Sequence, residues 1–259
     1  MTRTLEVATF AYHEVTDDPT TSGFQRAGAR PYTLTPRRFA EHLDAIAAAP
    51  CRPTLAGEID FDRPTRHLLL TFDDGGKSAL YASDQLAQRG WRGHFFIVTG
   101  LIGDRTFLDA AAIRHLRRCG HLVGSHSHTH PDVFRALTRE EMAEQWRVSA
   151  AILADLLGEP CLAASVPGGD SSPTVLRSAA TAGFRYLFTS EPDLRPHRVD
   201  DCRILGRVFP KAKLSLAAVR DLAQFRGWSR ALLVRRLKVL VRTTLPPLYR
   251  AYLLRSARP

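Results

Sequence analysis

Short apolar runs alternate along the chain with longer segments in which apolar residues recur at helical spacing. The apolar runs predict strands, and they lie at residues 5–12, 67–72, 94–98, 121–124, 161–166, 186–189 and 204–208. Helical segments begin near Thr35, Asp109, Thr138 and Ser172, where a capping side chain or a following proline marks the first turn. Strands that alternate with helices predict an α/β fold with a parallel sheet, and the short connections favour a closed or nearly closed barrel.

Several polar residues directly follow predicted strands. In parallel barrels the loops after the strands meet at one face, and this face carries the chemistry. We therefore expect a single pocket to gather His13, Asp73, Asp74, His126, His130 and the segment Pro167-Gly168-Gly169-Asp170.

Two clusters among these residues together predict a metal site. Asp73 and Asp74 stand at the end of an apolar run, and His126 and His130 are four residues apart, so one helical turn would direct both imidazoles the same way. Each cluster alone is compatible with a solvated turn or a polar loop. Jointly, Asp74 and the two histidines offer a divalent metal three ligands with open positions, which is typical of a catalytic site. Asp73 would then be free to accept a proton from a water that the metal acidifies.

At these residues the chain resembles the polysaccharide deacetylases with NodB homology, also called carbohydrate esterase family 4. Thr71-Phe72-Asp73-Asp74-Gly75 is similar to the first motif of that family, and His126-Ser127-His128-Thr129-His130 is similar to the second. The resemblance covers roughly residues 5–210. It implies a deformed (β/α)7-type barrel with Asp73 as the base and Asp74, His126 and His130 as ligands of Zn²⁺, or else of Co²⁺ or Ni²⁺.

The activity that the resemblance implies is removal of an N-acetyl or O-acetyl group from an amino sugar or polysaccharide. Two accessory residues of the family are missing, however. Ser165 stands where the family carries the arginine that orients the base, and residues 204–208 lack the histidine that serves as general acid. We expect His13 to replace that acid, although binding of sugar or of a backbone carbonyl would also explain a histidine there.

The segment that follows Ser165 keeps part of the family's third motif. We expect Pro167, Gly168, Gly169 and Asp170 to contact substrate, and backbone N–H groups near them to stabilise an oxyanion. Asp170 would equally serve as a cap for the following helix. Because the two accessory residues are missing, a catalytically weak relative that binds glycans is an alternative from another class.

Positive charge is concentrated at the end of the chain. Residues 203–259 contain 14 lysines and arginines against one acid, whereas the whole chain has a net charge of +10. We expect residues 1–227 to form the catalytic domain and residues 228–259 a basic amphipathic helical extension. Such an extension could lie on an anionic membrane and suit a deformylase or deacylase of a lipid-linked sugar, or it could be a last barrel helix with solvated arginines.

Other partners and compartments follow from composition. No stacking aromatics or nucleic-acid motif accompany the basic charge, so we do not expect a nucleic-acid partner. No apolar run has the character of a secretion signal or a membrane span, which favours a cytoplasmic protein, peripheral at the inner face of the membrane if the extension binds lipid. The four cysteines are widely spaced and form no CxxC pair, so we expect reduced thiols.

Overall fold

The computed structural model of the chain describes residues 4–26, 28–169 and 171–244. Its strands are β1 (Glu6–Tyr12), β2 (Arg66–Phe72), β3 (His94–Ile97), β4 (Leu122–Ser125), β5 (Ala163–Ser165), β6 (Tyr186–Phe188), β7 (His197–Val199) and β8 (Cys202–Leu205). Its longer helices are α1 (Pro36–Ala47), α2 (Ala79–Ala87), α3 (Ala110–Arg118), α4 (Arg139–Leu157), α5 (Pro173–Thr181), α6 (Leu216–Ala223) and α7 (Trp228–Thr244).

The strands form one sheet in the order β1-β2-β3-β4-β5-β6-β8-β7, and all pairs are parallel except β7 with β8. The sheet curls until its two sides meet, because Phe10 of β1 forms a parallel bridge with Val208, just after β8. Backbone hydrogen bonds from Ala11 N to Val208 O (2.8 Å) and from Val208 N to Thr9 O (3.0 Å) secure this junction. The predicted deformed barrel of seven parallel strands is confirmed, and β7 is an added antiparallel strand that the sequence did not predict.

Helix starts follow the capping residues that the sequence predicted. The Thr35 side chain accepts a hydrogen bond from Arg38 N, and Thr138 forms a capping box with Glu141 at the start of α4. Helix α4 ends at Gly158, whose φ of 69° is a left-handed conformation that glycine adopts without strain. These caps determine where each helix begins or ends.

Large aromatic residues pack between the sheet and helix α1 near the ends of β1 and β2. Tyr12, Phe39 and Phe72 are almost completely buried, and the rings of Tyr12 and Phe39 pack edge to face with centroids 5.2 Å apart. A close-packed core of this kind holds the ends of β1 and β2 in place, because such interiors resist displacement.

Helix α7 starts inside the same core. Trp228 is 3% exposed, its ring contacts Phe10 edge to face, and its indole N–H donates to Leu222 O at 2.9 Å. The predicted helical character after residue 228 is confirmed as far as residue 244, whereas residues 245–259 lie outside the described part. The division into a catalytic domain and an extension stays a prediction. In the described part of the chain, no helix is long and apolar enough to cross a membrane.

Candidate metal centre and active-site cleft

The two adjacent aspartates sit on a tight turn directly after β2. Asp73 N donates to Tyr12 O (2.9 Å) and Gly75 N donates to Asp73 O (3.0 Å), which reverses the chain within three residues. Asp74 has a φ of 75°, an uncommon conformation for a residue with a side chain, and such residues concentrate at functional sites. Both carboxylates are buried, at 4% and 5% exposure, yet both line the same cleft.

The two histidines come from the loop after β4 rather than from a helix. His126 N donates to Ile97 O of β3 at 2.8 Å, and His130 N donates to Ser127 Oγ at 3.1 Å. Ser127 and His130 both have positive φ, at 65° and 53°. The expected helical turn is therefore wrong, but the loop brings the two imidazoles together by another path, with ring centroids 5.0 Å apart.

Asp74, His126 and His130 fit a tetrahedral metal. The Asp74 Oδ1 atom lies 3.4 Å from His126 Nε2 and 3.6 Å from His130 Nε2, and one donor atom from each residue falls within 4.8 Å of the others. A tetrahedral ion with bonds of about 2.0–2.1 Å to nitrogen and oxygen separates its ligands by about 3.3 Å. The three side chains thus stand almost at bonding separation before any adjustment.

Ser165, at the end of β5, determines which nitrogen of His126 faces the other candidate ligands. His126 Nδ1 lies 2.6 Å from Ser165 Oγ and 3.1 Å from Ser165 O, so this nitrogen is engaged on the side away from Asp74. Metal-binding histidines commonly donate their second N–H to such a partner, which holds the ring and its tautomer. The Ser165 hydroxyl also donates to Asp73 Oδ1 at 3.2 Å and so links Asp73 to His126.

The guanidinium that the sequence lacks at position 165 comes from Arg207, two residues after β8. Its Nη1 lies 2.7 Å from Asp73 Oδ1 and its Nη2 lies 2.9 Å from Asp73 Oδ2, a bidentate ion pair. Further bonds from Arg207 reach Thr189 O and Thr71 Oγ1, and only 1% of the residue is exposed. Sequence reasoning missed this residue, although a single arginine in an apolar run that is expected to be buried requires a carboxylate partner.

The pKa values of Asp73, Asp74 and His130 are all lower than usual, but the causes differ. Burial would raise the pKa of Asp73, but the positive charges of Arg207 and His126 outweigh it and hold that pKa well below its usual range. The pKa of Asp74 is also lower than usual. Burial would raise it, but the hydrogen bond from His126 lowers it. Burial and the neighbouring charge of His126 lower the pKa of His130 to about 4. Both carboxylates are thus ionised, and His130 is neutral and able to bind a metal at neutral pH.

His13 lies in the cleft, as predicted, between two aromatic rings. Its ring centroid is 5.2 Å from that of Tyr32 and 5.5 Å from that of Phe209, and its Nδ1 is buried without a hydrogen-bond partner among the described residues. Its side chain lines the same cleft as both aspartates.

The third-motif segment is only partly placed in the cleft. Gly168 and Gly169 line it, with φ of 62° and 64°, whereas Pro167 is buried and is not among the cleft-lining residues. Gly169 N donates to Val166 O at 3.1 Å, so this N–H is used within its own turn. Asp170 lies outside the described residues. The substrate-binding roles of this segment stay predictions.

The cleft has a volume of about 790 Å³, and both aspartates, His126 and His130 line it. Phe24, for which sequence analysis offered no signal, packs on His130 with ring centroids 4.8 Å apart. The wall also includes Ala231 and Val234 of α7. The candidate metal centre and the first turns of the last helix therefore share one cleft.

The chain combines a curled parallel barrel with converging Asp74, His126 and His130 side chains. It is therefore an α/β-barrel protein with a candidate metal-hydrolase centre at the carboxyl ends of the strands. Residues 61–187 match the model of the polysaccharide deacetylase family. This match confirms, over these residues, the resemblance to that family that the motifs predicted.

Solved structures with the same fold extend the match beyond these residues. The Streptococcus pyogenes deacetylase PplD in complex with acetate is 17% identical with a TM-score of 0.72, covering 85% of this chain and 99% of its own. IcaB from Ammonifex degensii is 24% identical with a TM-score of 0.67, covering 85% and 97%. A de-N-acetylase from Aggregatibacter actinomycetemcomitans is 14% identical with a TM-score of 0.68, covering 84% and 99%. At these identities the likeness establishes the barrel and not the substrate.

Proposed function

We propose that the protein is a metal-dependent hydrolase that removes N-acetyl or O-acetyl groups from an amino sugar or polysaccharide. The observation that carries this proposal is the convergence of Asp74, His126 and His130 beside an ionised Asp73 in an open cleft. Three ligands with an accessible fourth position are typical of catalytic rather than structural metal sites.

Asp74 Oδ1, His126 Nε2 and His130 Nε2 would hold the metal, with Zn²⁺ as our first choice and Co²⁺ or Ni²⁺ as alternatives, since a carboxylate and two imidazoles suit all three ions. When bound, such an ion polarises the acyl carbonyl and acidifies a water. His126 is well prepared for this task because Ser165 engages its other nitrogen.

Asp73 would take the proton from the attacking water. Its two oxygens are held by separate nitrogens of Arg207, so the carboxylate cannot rotate freely, and it still retains lone pairs toward the cleft. A fixed base next to the attacking water lowers the barrier by positioning as much as by basicity.

His13 would return a proton to the leaving amine. Its imidazole lines the same cleft as the aspartates, and its Nδ1 has no hydrogen-bond partner among the described residues. Sugar binding by His13 is the alternative, because a ring between Tyr32 and Phe209 can also hydrogen-bond a hydroxyl group.

The experiment that tests this function is acetate release from N-acetylated and O-acetylated glycans by metal-stripped protein to which zinc, cobalt or nickel is restored. We expect release to require metal and to be lost in Asp73→Asn, with bound metal retained. The matched control is Asp17→Asn, at an exposed aspartate outside the cleft. Metal-independent release would overturn the mechanism, and a glycan affinity unchanged by Asp73→Asn without any turnover would favour the glycan-binding relative.

A second candidate is a deformylase or deacylase of a lipid-linked sugar that works at an anionic membrane, and one observation favours it. Leu233, Val234 and Leu237 of α7 are 58%, 44% and 52% exposed, and Val234 also lines the cleft. Apolar side chains at the mouth of an active site, on a basic helix, suit contact with a bilayer.

Co-sedimentation with vesicles of phosphatidylcholine and phosphatidylglycerol tests this second candidate. We expect binding that Leu233→Ser with Leu237→Ser weakens and that Leu162→Ser, at an exposed leucine next to β5, leaves unchanged. Equal binding by all variants, or none by the parent protein, would remove the membrane from the proposal and leave the hydrolase of the first candidate function.

A further inference from the structure

The loop after β8 brings two lysines to the wall of the cleft. Lys211 and Lys213 both line the cleft, and both are exposed. The Lys211 Nζ atom lies 5.0 Å from the ring centroid of Tyr32, a cation–π contact that holds the ammonium over the aromatic wall. Neither lysine has a carboxylate partner among the residues that the structure describes.

The arginines of the cleft, by contrast, are already paired. Arg26 contacts Asp132, Arg207 contacts Asp73 and Arg235 contacts Glu191. Arg235 also donates to Gly169 O at 2.8 Å. Positive charge that is free to meet a substrate therefore comes from the two lysines, within the described part of the cleft.

The lysines stand next to a surface that suits a sugar ring. Tyr32 and Phe209 pack edge to face with centroids 6.1 Å apart, and the His13 ring lies within 5.5 Å of both. Flat aromatic walls with an adjacent polar group are the usual form of small-molecule sites, because the ring faces bury apolar area while the polar group fixes orientation. A sugar on this wall would have its substituents close to Lys211.

We propose that the substrate carries a phosphate group, which Lys211 and Lys213 bind while the sugar lies against Tyr32 and Phe209. This inference rests on the proposed function and names the substrate class. The free cations are lysines, whose compact ammonium groups bind phosphate as point charges, whereas the planar arginine forks that match carboxylates are occupied. The phosphate belongs either to a free sugar phosphate or to a phosphate that joins a sugar to a lipid.

Calorimetric binding to the zinc-loaded Asp73→Asn protein tests this proposal, because that variant prevents turnover. The ligands are N-acetylglucosamine 1-phosphate and N-acetylglucosamine. We expect the phosphate to increase affinity by up to about tenfold, because each of two contacts at exposed lysines contributes modestly. Lys211→Gln with Lys213→Gln should abolish this advantage, and Arg52→Gln with Arg118→Gln, at exposed arginines outside the cleft, should preserve it.

Binding of phosphate to the metal is a separate explanation, which the metal-stripped protein excludes or supports. A phosphate advantage that survives metal removal and disappears with the lysines supports the proposal. An advantage that disappears with the metal, that persists without the lysines, or that is missing altogether overturns it. Because no measurement here requires turnover, absence of acetate release would overturn the proposed function without deciding the phosphate site.

The source of the phosphate is distinguished by a third ligand, dodecyl phosphate, compared with inorganic phosphate. If a lipid chain occupies the wall formed by α7, dodecyl phosphate should bind more tightly than inorganic phosphate and Val234→Ser should reduce only that difference. Equal affinity of the two ligands, with the lysine dependence intact, assigns the site to a free sugar phosphate.

Discussion

The two edges of the cleft differ in how their residues are distributed along the chain. The metal-ligand edge consists of the proposed ligands Asp74, His126 and His130, which lie in two short motifs after β2 and β4. The base-holding edge consists of Ser165, at the end of β5, and Arg207, just after β8, which both hydrogen-bond the proposed base Asp73 and share no contiguous motif. Ligands that must share one ion tolerate little change of position, whereas a guanidinium can reach Asp73 from any strand end that faces it.

The largest effect should come from the residue where the two edges meet. Asp73→Asn removes the proton acceptor and should lower kcat/KM for an acetylated glycan by about 10³-fold, within the range typical of general-base loss. Zinc content, measured by atomic emission after dialysis, should stay near one per chain because Asp74 still provides the ligand. Loss of zinc together with activity would mean that the roles of Asp73 and Asp74 have been exchanged.

The effect of a substitution at His13 should depend on the leaving group of the substrate. His13→Gln should lower hydrolysis of an N-acetyl sugar by about 10²-fold, because an amine must be protonated to leave. Hydrolysis of 4-nitrophenyl acetate, whose phenolate leaves without a proton, should fall by less than about threefold on the same reasoning. Equal losses on both substrates would show that His13 binds substrate and would leave the general acid unassigned.

Arg207 tests the base-holding edge itself. Arg207→Met leaves the Asp73 carboxylate buried without its partner, and removal of one member of a buried ion pair costs about 3–5 kcal/mol. We expect that loss in the free energy of unfolding, measured with urea, together with a decrease of about tenfold or more in kcat/KM. The control is Arg203→Met, within β8, where a half-buried arginine lies 3.8 Å from an exposed Asp62 and should contribute less than about 1 kcal/mol.

The pH dependence of the same pair has a definite sign. The folded-state pKa of Asp73 is lower than its unfolded value, so the ion pair stabilises the protein above about pH 3.9 and this contribution is lost as pH falls through the folded pKa. In Arg207→Met that pKa rises. The difference in unfolding free energy between the two proteins should therefore shrink as pH is lowered from 7 to 4, and a constant difference would contradict the pairing.

Ser165 should give the smallest effect because its hydroxyl only supports His126 and Asp73 and is itself neither a proposed ligand nor the proposed base. Ser165→Ala removes the hydroxyl that His126 Nδ1 contacts at 2.6 Å, although the Ser165 carbonyl at 3.1 Å remains. Loss of such a supporting contact typically lowers metal affinity by about tenfold. Competition with a zinc-binding dye measures this, and Ser190→Ala, at another serine of the cleft, serves as the control.

Much of the metal-ligand edge was predictable because strands and ligands are local in sequence. Seven apolar runs predicted the seven parallel strands, and the residues after the second and fourth runs predicted the converging Asp74, His126 and His130. The predicted backbone conformation was wrong even here, because the histidines converge through a loop with positive φ at Ser127 and His130 rather than through a helical turn. Residue type and strand position determined the cluster, whereas the loop conformation depended on hydrogen bonds to neighbouring strands.

The base-holding edge required the tertiary structure. Arg207 is one of 36 lysines and arginines, and nothing within its own segment reveals that it faces Asp73, which precedes it by 134 residues. That meeting depends on barrel closure, in which Val208 pairs with β1 and brings the end of β8 beside the end of β2. The chain by itself thus determined the class of fold and the candidate set of metal ligands, through local patterns of side chains. The partner of the base was decided by closure of the sheet, because contacts between distant segments depend on curvature and register, which local patterns do not encode.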